Sequence, residues 1–265
     1  MKNKNTLNTL LALFYLSLFI NVMQAQEVTK DTQSIKKDWN YLVEPYLMFP
    51  NMSGTVGLGN LPDVTSEVSS KQIFSNLKMG FMLYAEASNE KWNLNSDLLY
   101  MDLAQGAKGN VLINSGEISA KQLGWELAGL YKVKPWLEVG LGGLLNSVTS
   151  GVSIHQNTIE GGTIQRNKEI SETWVDPMVI VCFKNASGKK ITYSLRSEIG
   201  GFGISGTSDF AWQMQGYVGY NFSKLFQVSA GYRYIGLDYE KGTGQDHFKF
   251  DMDTRGPVVR FGFHL

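Results

Sequence analysis

The sequence predicts an all-β chain: an up-and-down antiparallel barrel that spans a membrane, with ten strands, or eight if two segments lie in loops. Three observations carry this. About ten short segments alternate apolar and polar residues, the period of a strand with one greasy face. The greasy faces hold no charge and end in aromatics, as a lipid slab with two headgroup boundaries would demand. Connections alternate between short turns and long polar loops, which sorts the strand ends onto two sides.

The N-terminus comes first. Lys2 and Lys4 precede an apolar run from Leu10 to Val22, and Ala25 stands before polar Gln26. This is the pattern of a cleaved secretory signal peptide over residues 1–25. The run is shorter than the roughly 20 residues a membrane helix needs, and no other segment approaches it. Residues 26–38 are polar and read as a periplasmic leader, which leaves 39–265 for the barrel. Lys plus Arg and Asp plus Glu are both 24, so no basic surface suggests nucleic acid. Cys182 is the only cysteine and reads as a small apolar filler.

Strands are expected near 39–49, 73–88, 91–103, 118–133, 136–148, 172–184, 190–201, 209–222, 225–239 and 248–265. Short turns fall at Ser88–Lys91, Val133–Pro135, Asn185–Gly188 and Ser223–Lys224. Longer loops cover 50–72, 104–117, 149–171, 202–208 and 240–247. The second segment sets Met79, Phe81, Leu83 and Ala85 against Lys78, Tyr84 and Glu86. The third sets Trp92, Leu94, Leu98 and Tyr100 against Asn93, Asn95 and Asp97. The fourth, fifth, seventh and ninth repeat the division, and the eighth does so from Phe210 to Phe222. A basic residue at mid-bilayer on the lipid side would cost roughly 2–4 kcal/mol, which accounts for the exclusion. Pro45, Pro177 and Pro257 interrupt strands, and each removes a ladder donor. For Pro177 and Pro257 a place near the long-loop rim is expected; Pro45 has no such place.

The last residues, Val259-Arg260-Phe261-Gly262-Phe263-His264-Leu265, alternate to the terminus. They resemble the C-terminal strand by which outer-membrane proteins engage the barrel-assembly machinery, with Leu265 where Phe is usual. Glu198-Ile199-Gly200-Gly201-Phe202-Gly203, Gly231-Tyr232-Arg233 and Gly256-Pro257 are similar to elements of small bacterial outer-membrane barrels of the OmpA, OmpW and opacity-protein kind. The resemblance covers the whole mature chain. It implies a monomer in the outer membrane of a Gram-negative bacterium, with lipid and lipopolysaccharide as neighbours and no cofactor or metal.

The inward faces gather Glu44, Glu86, Asp97, Glu126, Glu138, Asp176 and Glu198 with Arg196, Arg233 and Arg260. Buried charges persist when paired, and Arg forks match carboxylates. A lumen plugged by ion pairs, in a protein with a structural or surface-interaction role, is the first expectation. A small-solute pore is the alternative. A rim hydrolase, omptin-like or lipid-modifying, is the third. It would draw on His247 with Asp246, Asp209, Ser205 or Ser208, the other histidines being His155 and His264. No second acidic pair is recognisable and no Ser is compellingly placed, so the expectation is that the chain is not an enzyme.

Overall fold

A computed structural model describes residues 39–60, 62–108, 113–157, 163–185 and 189–265, without the side chains of 105–118 and 152–168. The expected signal peptide and leader lie outside the described residues. The strands are β1 (Asn40–Met48), β2 (Asn51–Leu58), β3 (Val64–Val68), β4 (Leu77–Ser88), β5 (Trp92–Lys108) and β6 (Ile113–Lys134). They continue with β7 (Leu137–Asn157), β8 (Thr163–Lys184), β9 (Ile191–Gly200), β10 (Phe210–Asn221), β11 (Phe226–Lys241) and β12 (Phe248–His264). One helix, α1, spans Ser70–Ser75. β1 and β4 to β12 pair in sequence order, and β1 pairs with β12 to close a ten-stranded antiparallel barrel.

β1 and β2 run along β12 one after the other, Leu42↔His264 to Met48↔Val258 and then Asn51↔Arg255 to Leu58↔Phe248. Segment 50–72 is therefore not the plain loop expected from sequence. β2 and β3 form a hairpin that lengthens the wall beyond β1, and α1 returns the chain to β4. α1 starts at a capping box, Ser69 and Gln72 each bonding the other's backbone. The expected loops at 104–117 and 149–171 are likewise shorter, because β5, β6, β7 and β8 extend into them. β6, β7 and β8 hold 22, 21 and 22 residues, against the ~9–11 that cross a bilayer, so much of each stands beyond the uncharged band.

The outward face repeats the predicted phase. Leu47, Phe81, Leu141, Val179, Ile199, Val218 and Phe261 are exposed there, and no residue of the band among the described residues is charged. At the end holding the short turns, Trp92 meets Tyr131 (5.2 Å), Trp136 meets Phe183 (6.1 Å), and Phe226 meets Phe222 (5.9 Å) and Phe263 (5.5 Å). Towards the loop end, Tyr234 meets Trp212 (6.0 Å) and Tyr232 (5.4 Å). Aromatic girdles thus bound the band.

Two of the three strand prolines, Pro177 and Pro257, fall where no ladder bond is required. Pro45 instead interrupts the β1–β12 ladder, whose register skips from Val43↔Phe263 to Tyr46↔Arg260. Pro177 lies one residue past the end of β8–β9, where its carbonyl accepts from Gly201 N (3.2 Å). Pro257 faces the break between β1 and β2, and its carbonyl accepts from Phe49 N (2.9 Å). The chain leaves β9 through Gly201, Phe202 and Gly203 at φ 78°, 64° and 61°. A Cβ on Gly201 would lie 2.5 Å from Ser208 O, so only glycine fits there.

Candidate functional site: a lumen in three storeys

Alternation drives every second side chain inward, and the lumen sorts them by height. Its middle is ionic. From β9, Arg196 bonds Glu126 and Glu198 and donates to Asn95 Oδ1 (3.0 Å). Arg196 and Glu198 are two apart on one strand, hence on one face. From β11, Arg233 reaches Asp97 (3.1 Å), the Tyr46 hydroxyl (3.0 Å) and Gln213 Oε1 (2.7 Å). From β12, Arg260 reaches Glu44 (3.3 Å), Asp97 (3.7 Å) and Gln215 Oε1 (3.2 Å). The rings of Tyr217, Tyr84 and Tyr46 stand 4.1, 4.6 and 5.2 Å from its guanidinium. Asp97 ties the two systems together, and it also accepts from the Tyr46 hydroxyl (2.6 Å). All three arginines are buried, so each charge persists only through these partners.

Nearer the turn end, Lys184 pairs with Glu138 (2.8 Å) and Glu86 (3.4 Å), and Asn93 donates to Glu138 (2.8 Å). Lys184 is the partner that sequence reading missed. It sits two residues beyond Cys182 on the inward phase, at the last position of the expected strand 172–184. Tyr46, Tyr84, Tyr217, Gln213 and Gln215 were missed as well, because neutral groups raise no alarm in a charge-based scan.

Asp176 corrects the expected network. It is fully buried on the inward face of β8, yet among the described residues it has no ion-pair partner. It accepts instead from Ser208 N (2.6 Å), Ser208 Oγ (2.8 Å), Asn146 Nδ2 (3.0 Å) and Trp174 Nε1 (3.0 Å). The reason is topological. β8 pairs with β9 only from Met178↔Gly200 to Lys184↔Ser194, so its upper edge is free and loop 201–209 folds against it. Asp176 latches that loop.

The loop-end storey is apolar. Trp174 stacks on Tyr239 at 4.0 Å and 9°, with Phe248 and Phe250 at 6.4 Å. Leu144, Met178, Leu237 and Met252 complete the cluster. Among the described residues, the lumen includes two separate cavities. One of about 30 Å³, room for about two waters, is bounded by Met48, Leu144 and Leu237 above and by Asp97, Glu126 and Arg233 below. One of about 210 Å³ lies at the turn end between Glu86, Glu138, Lys184, Arg260 and His264. No residue lines both, and the arginine layer stands between them.

At the rim, His247 lies between Glu240 (Nε2 to Oε1, 3.3 Å) and Asp63 (Nδ1 to Oδ1, 3.9 Å). Among the described residues, no hydrogen bond or ion pair joins its ring to Asp246, Asp209 or a serine. Ser208 is buried on Asp176, and Ser205 is exposed. His264 faces Gln227 Oε1 (3.3 Å), and the side chain of His155 lies outside the described residues. Among the described residues, no cluster of His, Cys, Asp and Glu could hold a metal ion.

No protein-family model matches the chain, and no curated protein is significantly similar to it. Solved structures similar to it include Ail, the attachment invasion locus protein of Yersinia pestis, at 12% identity over 86% of this chain and 98% of that one, TM-score 0.33. A Pseudomonas aeruginosa FadL homologue matches at 8% identity over 87% and 90%, TM-score 0.35. The Ralstonia pickettii toluene transporter TbuX matches at 9% over 87% and 90%, TM-score 0.34. TM-scores this low carry no functional argument.

Proposed function

We propose that the chain is an outer-membrane β-barrel whose lumen is closed to solutes and whose working surface is the loop-end rim. The membrane assignment rests on an inverted distribution of polarity. The exterior is an uncharged band between aromatic girdles, while the interior holds the arginines and carboxylates. A water-soluble barrel has no cause to invert the usual order, whereas a lipid slab enforces it. The observation that carries closure is the pair of cavities with no common lining residue, separated by the Arg196, Arg233 and Arg260 layer.

With passage blocked, the rim is the part left to meet other molecules. Its strand extensions carry exposed Lys121, Glu240, Asp251, Asp253 and Arg255 outward. A structural or surface-interaction role follows, without catalysis. The protein refolded into vesicles is expected to shift its gel mobility on heating and to add no conductance steps to a planar bilayer. A soluble product without a heat shift would remove the membrane assignment. Steady ion-conducting steps would remove the closed lumen and favour the pore.

A further inference from the structure

The barrel wall has a defect beside α1. The β1–β4 ladder stops at Pro45↔Leu83, although β1 continues to Met48 and β4 begins at Leu77. Pro50 stands a few residues on, between β1 and β2, and breaks the run there. β1 and β4 part beyond Pro45↔Leu83 around an apolar notch of about 70 Å³. Its mouth is formed by Leu47, Phe74 and Phe81, which are 53%, 41% and 50% exposed on the outer surface. Its floor is formed by Met48, Ile73 and Met101, all at 3% or less. Phe74 of α1 rests on Phe49 at 5.2 Å and roofs the opening.

We propose that this notch is a lipid-binding site: it takes an acyl chain of a phosphorylated lipid from the surrounding leaflet, and Arg255 holds the phosphate. The proposal rests on the membrane reading above. An apolar void leaves its lining atoms without contacts on one side, and this one offers water too few polar partners to fill it. The mouth opens within the uncharged band, where the adjoining medium is hydrocarbon. Lipid tails are as apolar as Leu, so no hydrophobic gain draws a chain in. Dispersion contacts and the headgroup must do so.

The headgroup has a partner in place. Pro50 lines the notch and Asn51 lines a polar pocket next to it, with α1 contributing Phe74 to one and Gln72 to the other. Arg255 lies in that pocket, opposite Asn51 in register and on the outward face of β12. It is exposed and has no ion pair among the described residues. A guanidinium fork matches phosphate geometry. Glu67 lines the same pocket and tempers the preference.

The test uses the refolded protein in phosphatidylcholine vesicles doped with one of two photoreactive probes. One is a phosphatidic acid with a mid-chain diazirine, the other a diacylglycerol with the same chain. Adducts are mapped by mass spectrometry. They are expected on Met48, Ile73 and Met82, several-fold more from phosphatidic acid than from diacylglycerol. Gly80→Leu fills the notch, since a Cβ at Gly80 meets nothing closer than Leu77 Cδ2 at 3.4 Å, and should abolish these adducts. Gly143→Leu, on the outward face of β7, should keep them. Arg255→Gln should bring the two probes level, and Glu67→Gln should widen their difference.

Adducts spread evenly over the outward band, or surviving Gly80→Leu, would overturn the site while the heat shift still confirmed a membrane barrel. Adducts from diacylglycerol alone on Leu144 and Gln213 would also overturn it, because they would mark an apolar solute crossing the wall into the inner cavity. A protein with no heat shift would overturn the membrane reading and this site with it.

Discussion

Removal of Arg233 tests the closed lumen most directly. The guanidinium bonds Asp97, Tyr46 and Gln213, and it bounds the 30 Å³ cavity from below. Arg233→Ala leaves a buried carboxylate short of one partner, and breaking a buried pair costs about 3–5 kcal/mol. Asp97 keeps the Tyr46 hydroxyl at 2.6 Å and Arg260 at 3.7 Å, so the lower end, about 3 kcal/mol, is expected. Urea unfolding from vesicles measures it. Adding Asp97→Ala should cost less than the sum of the two single changes, by about 1–3 kcal/mol, because the stranded charge is gone. Arg260 bounds the lower cavity and remains in the single variant. Conductance is therefore expected to rise clearly only in Arg233→Ala/Arg260→Ala, which removes both sides of the layer. An Arg233→Ala protein within about 0.5 kcal/mol of wild type, together with a silent double variant, would show that these arginines do not close the lumen.

Three further outcomes follow from other parts of the molecule. Leu141, 69% exposed on β7, lies in the uncharged band, so Leu141→Arg should cost about 2–4 kcal/mol in vesicles; a change near zero would mean that the face meets water. Asp176→Ala deprives Ser208 and Asn146 of their acceptor, leaves Trp174 Nε1 with Ser208 Oγ alone (2.9 Å), and should destabilise by about 2–3 kcal/mol. Loop 201–209 should then be cut sooner by protease, and an unchanged cleavage rate would exclude the latch. His247 has a carboxylate facing each ring nitrogen. Intact cells carrying His247→Ala should therefore match wild type in peptide cleavage and in lipid A composition, and an activity lost only in the variant would make this a surface hydrolase.

The sequence by itself determined the faces. Side-chain direction in a strand is a local property of period two, so Phe210 to Phe222 announces its apolar outward side without reference to any neighbour. The same locality made the inward set legible, and nine of the ten charged residues expected in the lumen network do stand there in ion pairs. Even the segment at 50–72 carried usable signals. Met52, Val56 and Leu58 alternate, and Ser69 to Gln72 spells a helix start. The abundance of Gly, Ser and Asn around them outweighed those signals.

Only the tertiary structure decided who meets whom. Glu44 and Arg260 are 216 residues apart and touch because β1 closes on β12, a long-range event no local pattern encodes. Lys184 and Glu86, 98 apart, meet across the lumen, where barrel curvature and register set the reach. Asp176 went to Ser208 because β9 is shorter than β8 and leaves an edge to be covered. Pro45 acquired its meaning in the same way. A missing N–H is only a local defect until pairing shows which ladder it interrupts, and here that ladder is β1–β12, whose register skips Glu44 and Pro45.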